Sequence, residues 1–185
     1  IVPMASIALA AAAVAFVLAP YQSAETILRA LPPGGRIVGI QKGQCSLADL
    51  ALAAADLVGG ARVLIHSWGI SLEDLALLQL AASTGRIAGF EMRLDNRRAG
   101  DERFAEARAS FGTANVTTSA MHAEIAAVEG ADRAIVIRGS MGMNRNPVHQ
   151  QFDVDDSREL AAAMRAEHAA PQAAVKFPKP AAEAR

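Results

Sequence analysis

The alternation of short apolar strands with capped helices is the feature that most constrains how this chain folds. Arg36–Ile40 and Arg62–Ser67 are short runs rich in branched apolar residues, which is typical of buried strands. Each run is followed by a helix that opens with a capping serine, at Ser46 and at Ser71, with an acid three residues later. Repetition of this strand-helix unit predicts an α/β protein.

The later elements follow from the same signals. They are helices ending near Val58 and Ser83, a strand Arg86–Leu94, a helix Gly100–Phe111, strands Asn115–Thr118, Met121–Val128 and Arg133–Ile137, and a last helix after Asp156. Because only short turns separate the last three strands, we expect them to be neighbours without helical crossovers. The predicted order is β-α-β-α-β-α-β-β-β-α, a mixed sheet flanked by helices on both faces.

The size of the chain favours one domain. With 185 residues, of which 52% are hydrophobic and 20% charged, it can bury one substantial core and is short for two. We divide it into an apolar helical segment over 1–30, the main domain over 31–170, and a flexible tail over 171–185 rich in Ala, Pro and Lys.

The first 19 residues carry no charge and have two interpretations. They are either a membrane or export segment, or a packed helix or dimer-packing arm. No Lys or Arg precedes the apolar run, and alanine is only weakly hydrophobic, which favours the packed alternatives. We therefore expect a cytoplasmic protein without membrane contact, and membrane attachment through residues 1–19 is the alternative.

Charge and cysteine content exclude some classes of function. A formal net charge of -1 gives no global basic surplus, so any binding of polyanions must be local. The single cysteine, Cys45, allows no internal disulfide, and the scattered histidines give no metal-ligand spacing, so we expect no metal and no cofactor. The one basic cluster, Arg93 with Arg97 and Arg98, is either a solvated loop or a groove edge for a nucleic-acid backbone.

Two segments in the second half carry the candidate chemistry. His122 is predicted to lie on a strand, and the next strand ends in the turn Gly139-Ser140, followed by an Asn-rich stretch. That order would place an imidazole beside small hydrogen-bond donors at neighbouring strand ends. Such an arrangement is suited to binding an anion.

The same order resembles the phospholipase D signature, His-x-Lys-(x)4-Asp, a strand, and Gly-Ser-x-Asn. His122, Gly139 and Ser140 match it, and the resemblance extends from about Arg36 to Asp155. It is of the kind seen in small single-motif members from phages and prophages. The wider context that agrees with it comprises Lys42 to Leu47, His66 to Trp68, and Asn144 to Asp153.

The resemblance implies a metal-independent phosphodiesterase acting on nucleic acid or another phosphodiester. His122 would be the nucleophile and, in a homodimer, the proton donor to the leaving oxygen. The resemblance also implies a set of phosphate or substrate contacts, which are Ser140, Gly139, Asn144, Arg145, Asn146, Lys42, His66 and Trp68.

Three departures from the signature weaken that expectation. Glu124 replaces the lysine, Glu129 replaces the aspartate, and Gly142 replaces the asparagine. Putting an anion where a cation should hold phosphate reverses the main electrostatic interaction, and losing one oxyanion donor costs on the order of 100-fold in rate. We therefore weigh a phosphodiesterase with impaired catalysis against a non-catalytic binding or assembly module that retains the fold. Glu124 is then either an orienter of the imidazole or an exposed edge residue.

Overall fold

The computed structural model describes residues 13–18 and 22–170 and confirms the α/β class. Within these residues a single mixed sheet of eight strands is packed against five helices. The elements are β1 (Val14–Leu18), α1 (Ala24–Arg29), β2 (Arg36–Gln41), α2 (Leu47–Val58), β3 (Ala61–Ser67), α3 (Leu72–Ser83), β4 (Ile87–Asp95), a 3₁₀ turn (Asn96–Arg98), α4 (Glu102–Phe111), β5 (Val116–Ser119), β6 (Ile125–Glu129), β7 (Ala134–Gly139), β8 (Gln150–Asp156) and α5 (Arg158–Ala169).

The strand order brings several chain segments to one edge of the sheet. The order is β1-β2-β8-β7-β6-β3-β4-β5. β3, β4 and β5 are parallel to one another, whereas β6, β7 and β8 are antiparallel to the strands beside them. Because β6 runs against β3, its first residue Ile125 pairs with His66 near the end of β3. The carboxyl ends of β3, β4 and β7 and the start of β6 therefore share one edge.

Side chains alternate between two apolar layers, so the expectation of helices on both faces is confirmed. Val63 and Ile65 of β3 pack with α1, α2, α3 and α4 in the larger core. Leu64, from the same strand, packs with Ala127 and Val136 under α5 in the smaller one. The period of two in a strand explains this division.

Capping serines set the starts of the two central helices, as the sequence predicts. The Ser46 hydroxyl accepts the Asp49 amide hydrogen, and the Asp49 carboxylate accepts the Ser46 amide hydrogen, which completes a capping box. Ser71 caps α3 by accepting the amide hydrogen of Asp74.

The N-terminal expectation is wrong in part. Residues 14–18, expected to be helical, form edge strand β1, which pairs in parallel with β2 from Val14 opposite Arg36. Residues 24–29 are helical as expected. Residues 1–12, 19–21 and the proposed tail 171–185 lie outside the described residues. None of the helices that the structure describes is long and apolar enough to cross a membrane.

The predicted order also lacks β8, which lies between β2 and β7. Its buried Phe152 and Val154 alternate with polar residues, a pattern that the neighbouring charges obscure. Any Cβ at Gly39 on β2 would overlap the Phe152 ring, so this pairing requires a glycine there. β5 pairs with β4 and not with β6, so of the three strands expected to be neighbours only β6 and β7 pair with each other.

Candidate functional site

Five residues from three chain segments form what we call the Trp68 cleft, at the edge where β3 and β4 end. Trp68 follows β3, Arg97 and Arg98 follow β4, and His122 and Glu124 precede β6. Parallel strands place their carboxyl ends on one side of a sheet, which is where ligands of α/β proteins commonly bind. The topology thus brings together residues that are far apart in sequence.

An exposed indole surrounded by cations dominates the cleft. Trp68 is 37% exposed. The guanidinium carbon of Arg98 lies 3.6 Å from the Trp68 ring centroid, and that of Arg97 lies 5.7 Å away. The His122 ring approaches the edge of the indole with centroids 6.5 Å apart. An aromatic surface with adjacent positive charge suits an anionic ligand that carries a ring.

A cavity of about 110 Å³ opens beside the indole. Its lining includes Arg98, Arg103, Asn144, Gly142 and the Glu124 carboxyl. Asn144, predicted as a phosphate contact, therefore does line the cleft. Sequence reasoning did not single out Arg103, because its position in α4 does not indicate which strand end that helix faces.

Glu124 is a cleft-lining carboxyl, so its interpretation as an exposed edge residue is wrong. Its Oε2 accepts a hydrogen bond from the Ser67 hydroxyl at 2.6 Å, and its Oε1 accepts one from the Trp68 amide at 3.0 Å. Burial raises its pKa to about 7, and the hydrogen bonds from Ser67 and Trp68 oppose this rise only in part.

Glu124 and Gly142, which the resemblance compares with the lysine and the asparagine of the signature, lie close together. A Cβ built at Gly142 would lie 3.3 Å from Glu124 Oε1. A backbone hydrogen bond joins the same two chain segments, since the Gly139 amide donates to the Glu124 carbonyl at 3.2 Å. This convergence depends on the pairing of β6 with β7, which the sequence predicted.

His122 is exposed and lies in the loop before β6, so its predicted place on a strand is wrong. The chain becomes regular only at Ile125, where pairing with β3 and β7 begins. Among the described residues none forms a hydrogen bond with the imidazole of His122, and its ring contact is with Trp68. Glu124 therefore does not orient this imidazole.

Glu129 and His66 lie on the opposite face of the sheet and away from the cleft. Glu129 ends β6 and accepts a hydrogen bond from Nε of Arg165 on α5 at 2.6 Å. Five residues of strand separate it from Glu124 by about 16 Å. His66 points under α5, where its Nε2 lies 2.9 Å from His168 Nδ1. Successive side chains of a strand point to opposite faces of the sheet, so Ser67, the next residue, faces the cleft while His66 faces α5.

The remaining predicted contacts either have structural partners or lie away from the cleft. The Ser140 hydroxyl accepts the Gln151 amide of β8 at 3.1 Å. Arg145 bridges the starts of α2 and α3, pairing with Asp49 at 3.0 Å and with Glu73. Lys42 and Asn146 are exposed and do not line the Trp68 cleft.

The arginines after β4 were predicted to form either a solvated loop or a groove edge, and different arginines fit different interpretations. Arg97 pairs with Asp95 at 2.6 Å and Arg103 pairs with Asp101 at 2.7 Å, as expected of local ion pairs. Arg98 is less engaged, because it lies 3.9 Å from Asp101 and its buried Nε has no hydrogen-bond partner among the described residues. Arg98 is thus the cleft cation with most capacity for a ligand.

Among the described residues, no group of three His, Cys, Asp or Glu side chains is arranged to hold a metal ion. Cys45 is buried, and burial raises the pKa of its thiol to about 12, so it is a poor thiolate donor.

No family model matches the chain, and the search of curated proteins returned no match. The phospholipase D resemblance therefore rests on His122, Gly139 and Ser140 and stays a prediction.

Proposed function

We propose that this phospholipase D-like chain binds single-stranded nucleic acid at the Trp68 cleft, with catalysis lost or strongly impaired. The observation that carries the proposal is the exposed Trp68 indole with the Arg98 guanidinium 3.6 Å from its centroid. Base stacking on an aromatic ring beside a phosphate-binding cation is the usual basis of sequence-tolerant single-strand binding. The net charge of -1 fits a local rather than a global polyanion site.

Impaired catalysis follows from what surrounds Glu124. A pentavalent phosphoryl transition state needs fixed cationic or amide donors, and here a carboxyl and Gly142 occupy the corresponding positions. Arg98, a cation of the same cavity, is stacked on Trp68. We expect this arrangement to bind phosphate through Arg98 and to accelerate its hydrolysis little.

The second candidate is metal-independent phosphodiester hydrolysis, favoured by the exposure of His122 at the rim of the cleft. Its imidazole nitrogen would form a bond to phosphorus while the bond to the leaving oxygen breaks, and a second imidazole would protonate that oxygen. Water, losing its proton to the second imidazole, would then attack phosphorus and break the phosphorus–nitrogen bond, which releases the product and regenerates His122. Each chain has one signature histidine, so this mechanism needs a homodimer, and light scattering of the purified protein measures that state directly.

Trp68 is the only tryptophan in the chain, so its fluorescence reports ligand binding without a label. We expect saturable quenching by an oligothymidylate of about a dozen nucleotides. Arg98→Ala should weaken binding about tenfold, the loss expected for one stacked cation. Arg29→Ala, at the end of α1, is the matched control and should bind as the wild type does.

Anionic phospholipid vesicles provide the competing ligand. Quenching by vesicles without quenching by the oligonucleotide would overturn the proposal and favour a lipid surface. Hydrolysis is measured separately with bis(p-nitrophenyl) phosphate in EDTA. We expect no turnover above that of His122→Ala, and turnover that this substitution abolishes would favour the second candidate.

A further inference from the structure

The Ser67 hydroxyl has two acceptors and one hydrogen. Its oxygen lies 2.6 Å from Glu124 Oε2 and 2.8 Å from the Gly69 carbonyl oxygen. A hydroxyl donates one hydrogen bond at a time, although its oxygen can accept two. With Glu124 ionised, Ser67 can therefore satisfy either the carboxylate or the carbonyl, but not both.

When Glu124 is protonated, every group in this chain of contacts has a hydrogen-bond partner. The carboxylic O–H then donates to the Ser67 oxygen, and Ser67 donates to the Gly69 carbonyl. The other carboxyl oxygen continues to accept from the Trp68 amide at 3.0 Å. Competition from the Gly69 carbonyl thus weakens the support that Ser67 gives to the ionised carboxylate. Burial favours the neutral acid and raises the pKa of Glu124 to about 7, against the hydrogen bonds that the carboxyl accepts from Ser67 and Trp68.

We propose that Glu124 is a proton-linked gate of the Trp68 cleft, which admits a phosphodiester anion when the carboxyl is neutral and excludes it when the carboxyl is ionised. This inference rests on the proposed function and assigns a regulation to the same site. The physical cause is the carboxyl's position on the wall of the cavity that also contains Arg98 and Arg103. A negative charge there repels the anion that these cations attract.

Few other charges face Glu124 across the cavity. Arg98, Asp101 and Arg103 come from the segment after β4, and Asp101 is neutralised by its two arginine partners. The segment after β7 contributes Asn144 and Gly142, which carry no charge. His122, two residues away, is another ionisable side chain of the cleft, and a positive charge on its imidazole would also attract an anion. The test must therefore separate Glu124 from His122.

Binding linked to the uptake of one proton weakens by up to tenfold for each pH unit above the pKa of the free site. We therefore measure oligothymidylate affinity by Trp68 fluorescence from about pH 5.5 to about pH 8.5 at constant ionic strength. Wild-type affinity should fall by at least about tenfold over the upper half of this range. Glu124→Gln should bind with the wild type's low-pH affinity throughout, since an amide is neutral and preserves the hydrogen bonds to Ser67 and Trp68. His122→Ala should retain the wild-type dependence.

A fall in affinity that persists in Glu124→Gln, or that disappears in His122→Ala, overturns the gate and leaves nucleic-acid binding intact. Absence of binding by both the wild type and Glu124→Gln at every pH overturns the proposed function as well. Should Glu124→Gln fail to fold, calorimetry of His122→Ala in two buffers of different ionisation enthalpy counts the protons taken up without a contribution from His122. Uptake approaching one proton above about pH 7.5 supports the gate, and none overturns it.

Discussion

His66 Nε2 and His168 Nδ1 lie 2.9 Å apart on the face of the sheet covered by α5. One nitrogen must donate and the other accept, so the pair requires at least one neutral imidazole. Burial, and secondarily the neighbouring Arg93, lowers the pKa of His66 to about 4, and burial lowers that of His168. This contact between two imidazoles joins the end of α5 to β3.

This pair predicts that acid destabilises the protein. In the unfolded chain His66 takes up a proton near pH 6.5, whereas the folded chain resists protonation until about pH 4. The unfolded state thus binds more protons between these values, and the free energy of unfolding should decrease as the pH falls through this window. Urea denaturation at several pH values measures the slope. His66→Gln should flatten it, and the exposed-histidine control His149→Gln should leave it unchanged.

Ser46 is predicted to be the most sensitive helix cap. Its hydroxyl accepts the Asp49 amide hydrogen at 3.2 Å and donates to Asp74 Oδ1 at 2.9 Å. Ser46→Ala removes the cap of α2 and leaves a buried carboxyl without its donor, which should cost about 1–3 kcal/mol. Ser23→Ala, an exposed cap on α1, should cost about 1 kcal/mol or less. Equal losses in urea denaturation would contradict this account.

Arg145, which the sequence suggested as a phosphate contact, is predicted to be structural. It pairs with Asp49 and Glu73 at the starts of two helices. Because these pairs are largely solvated, Arg145→Ala should lower the free energy of unfolding by about 1 kcal/mol or less. Oligothymidylate affinity, measured by Trp68 fluorescence, should stay at the wild-type value. A loss comparable to that in Arg98→Ala would place Arg145 at the ligand after all.

Restoring the signature should increase hydrolysis. The double variant Glu124→Lys with Gly142→Asn places a cation and an amide where the resemblance implies phosphate contacts. One recovered donor is worth on the order of 100-fold in rate, so turnover of bis(p-nitrophenyl) phosphate should rise above that of the wild type. Adding His122→Ala to the double variant should abolish the gain. A gain that survives this third substitution would show that the chemistry lies elsewhere.

Local hydrogen bonding explains which elements were predictable. α2 and α3 begin where the capping serines place them and end within a residue of the glycine or threonine that terminates each helix. β8 was missed because its strand character comes from lying between β2 and β7, and not from a strongly apolar sequence. Of the predicted contacts, Trp68 and Asn144 line the cavity with Glu124, and the predicted pairing of β6 with β7 brings Glu124 close to Gly142.

The sequence by itself determined the α/β alternation, the helix starts and the order of the signature residues, because these depend on contacts within a few residues of chain. Only the tertiary structure decided that Ser67 meets Glu124 while His66 turns to α5, and that Arg98 stacks on Trp68. The reason is physical: a strand sends successive side chains to opposite faces, and the register with its neighbours decides which distant residue each one meets.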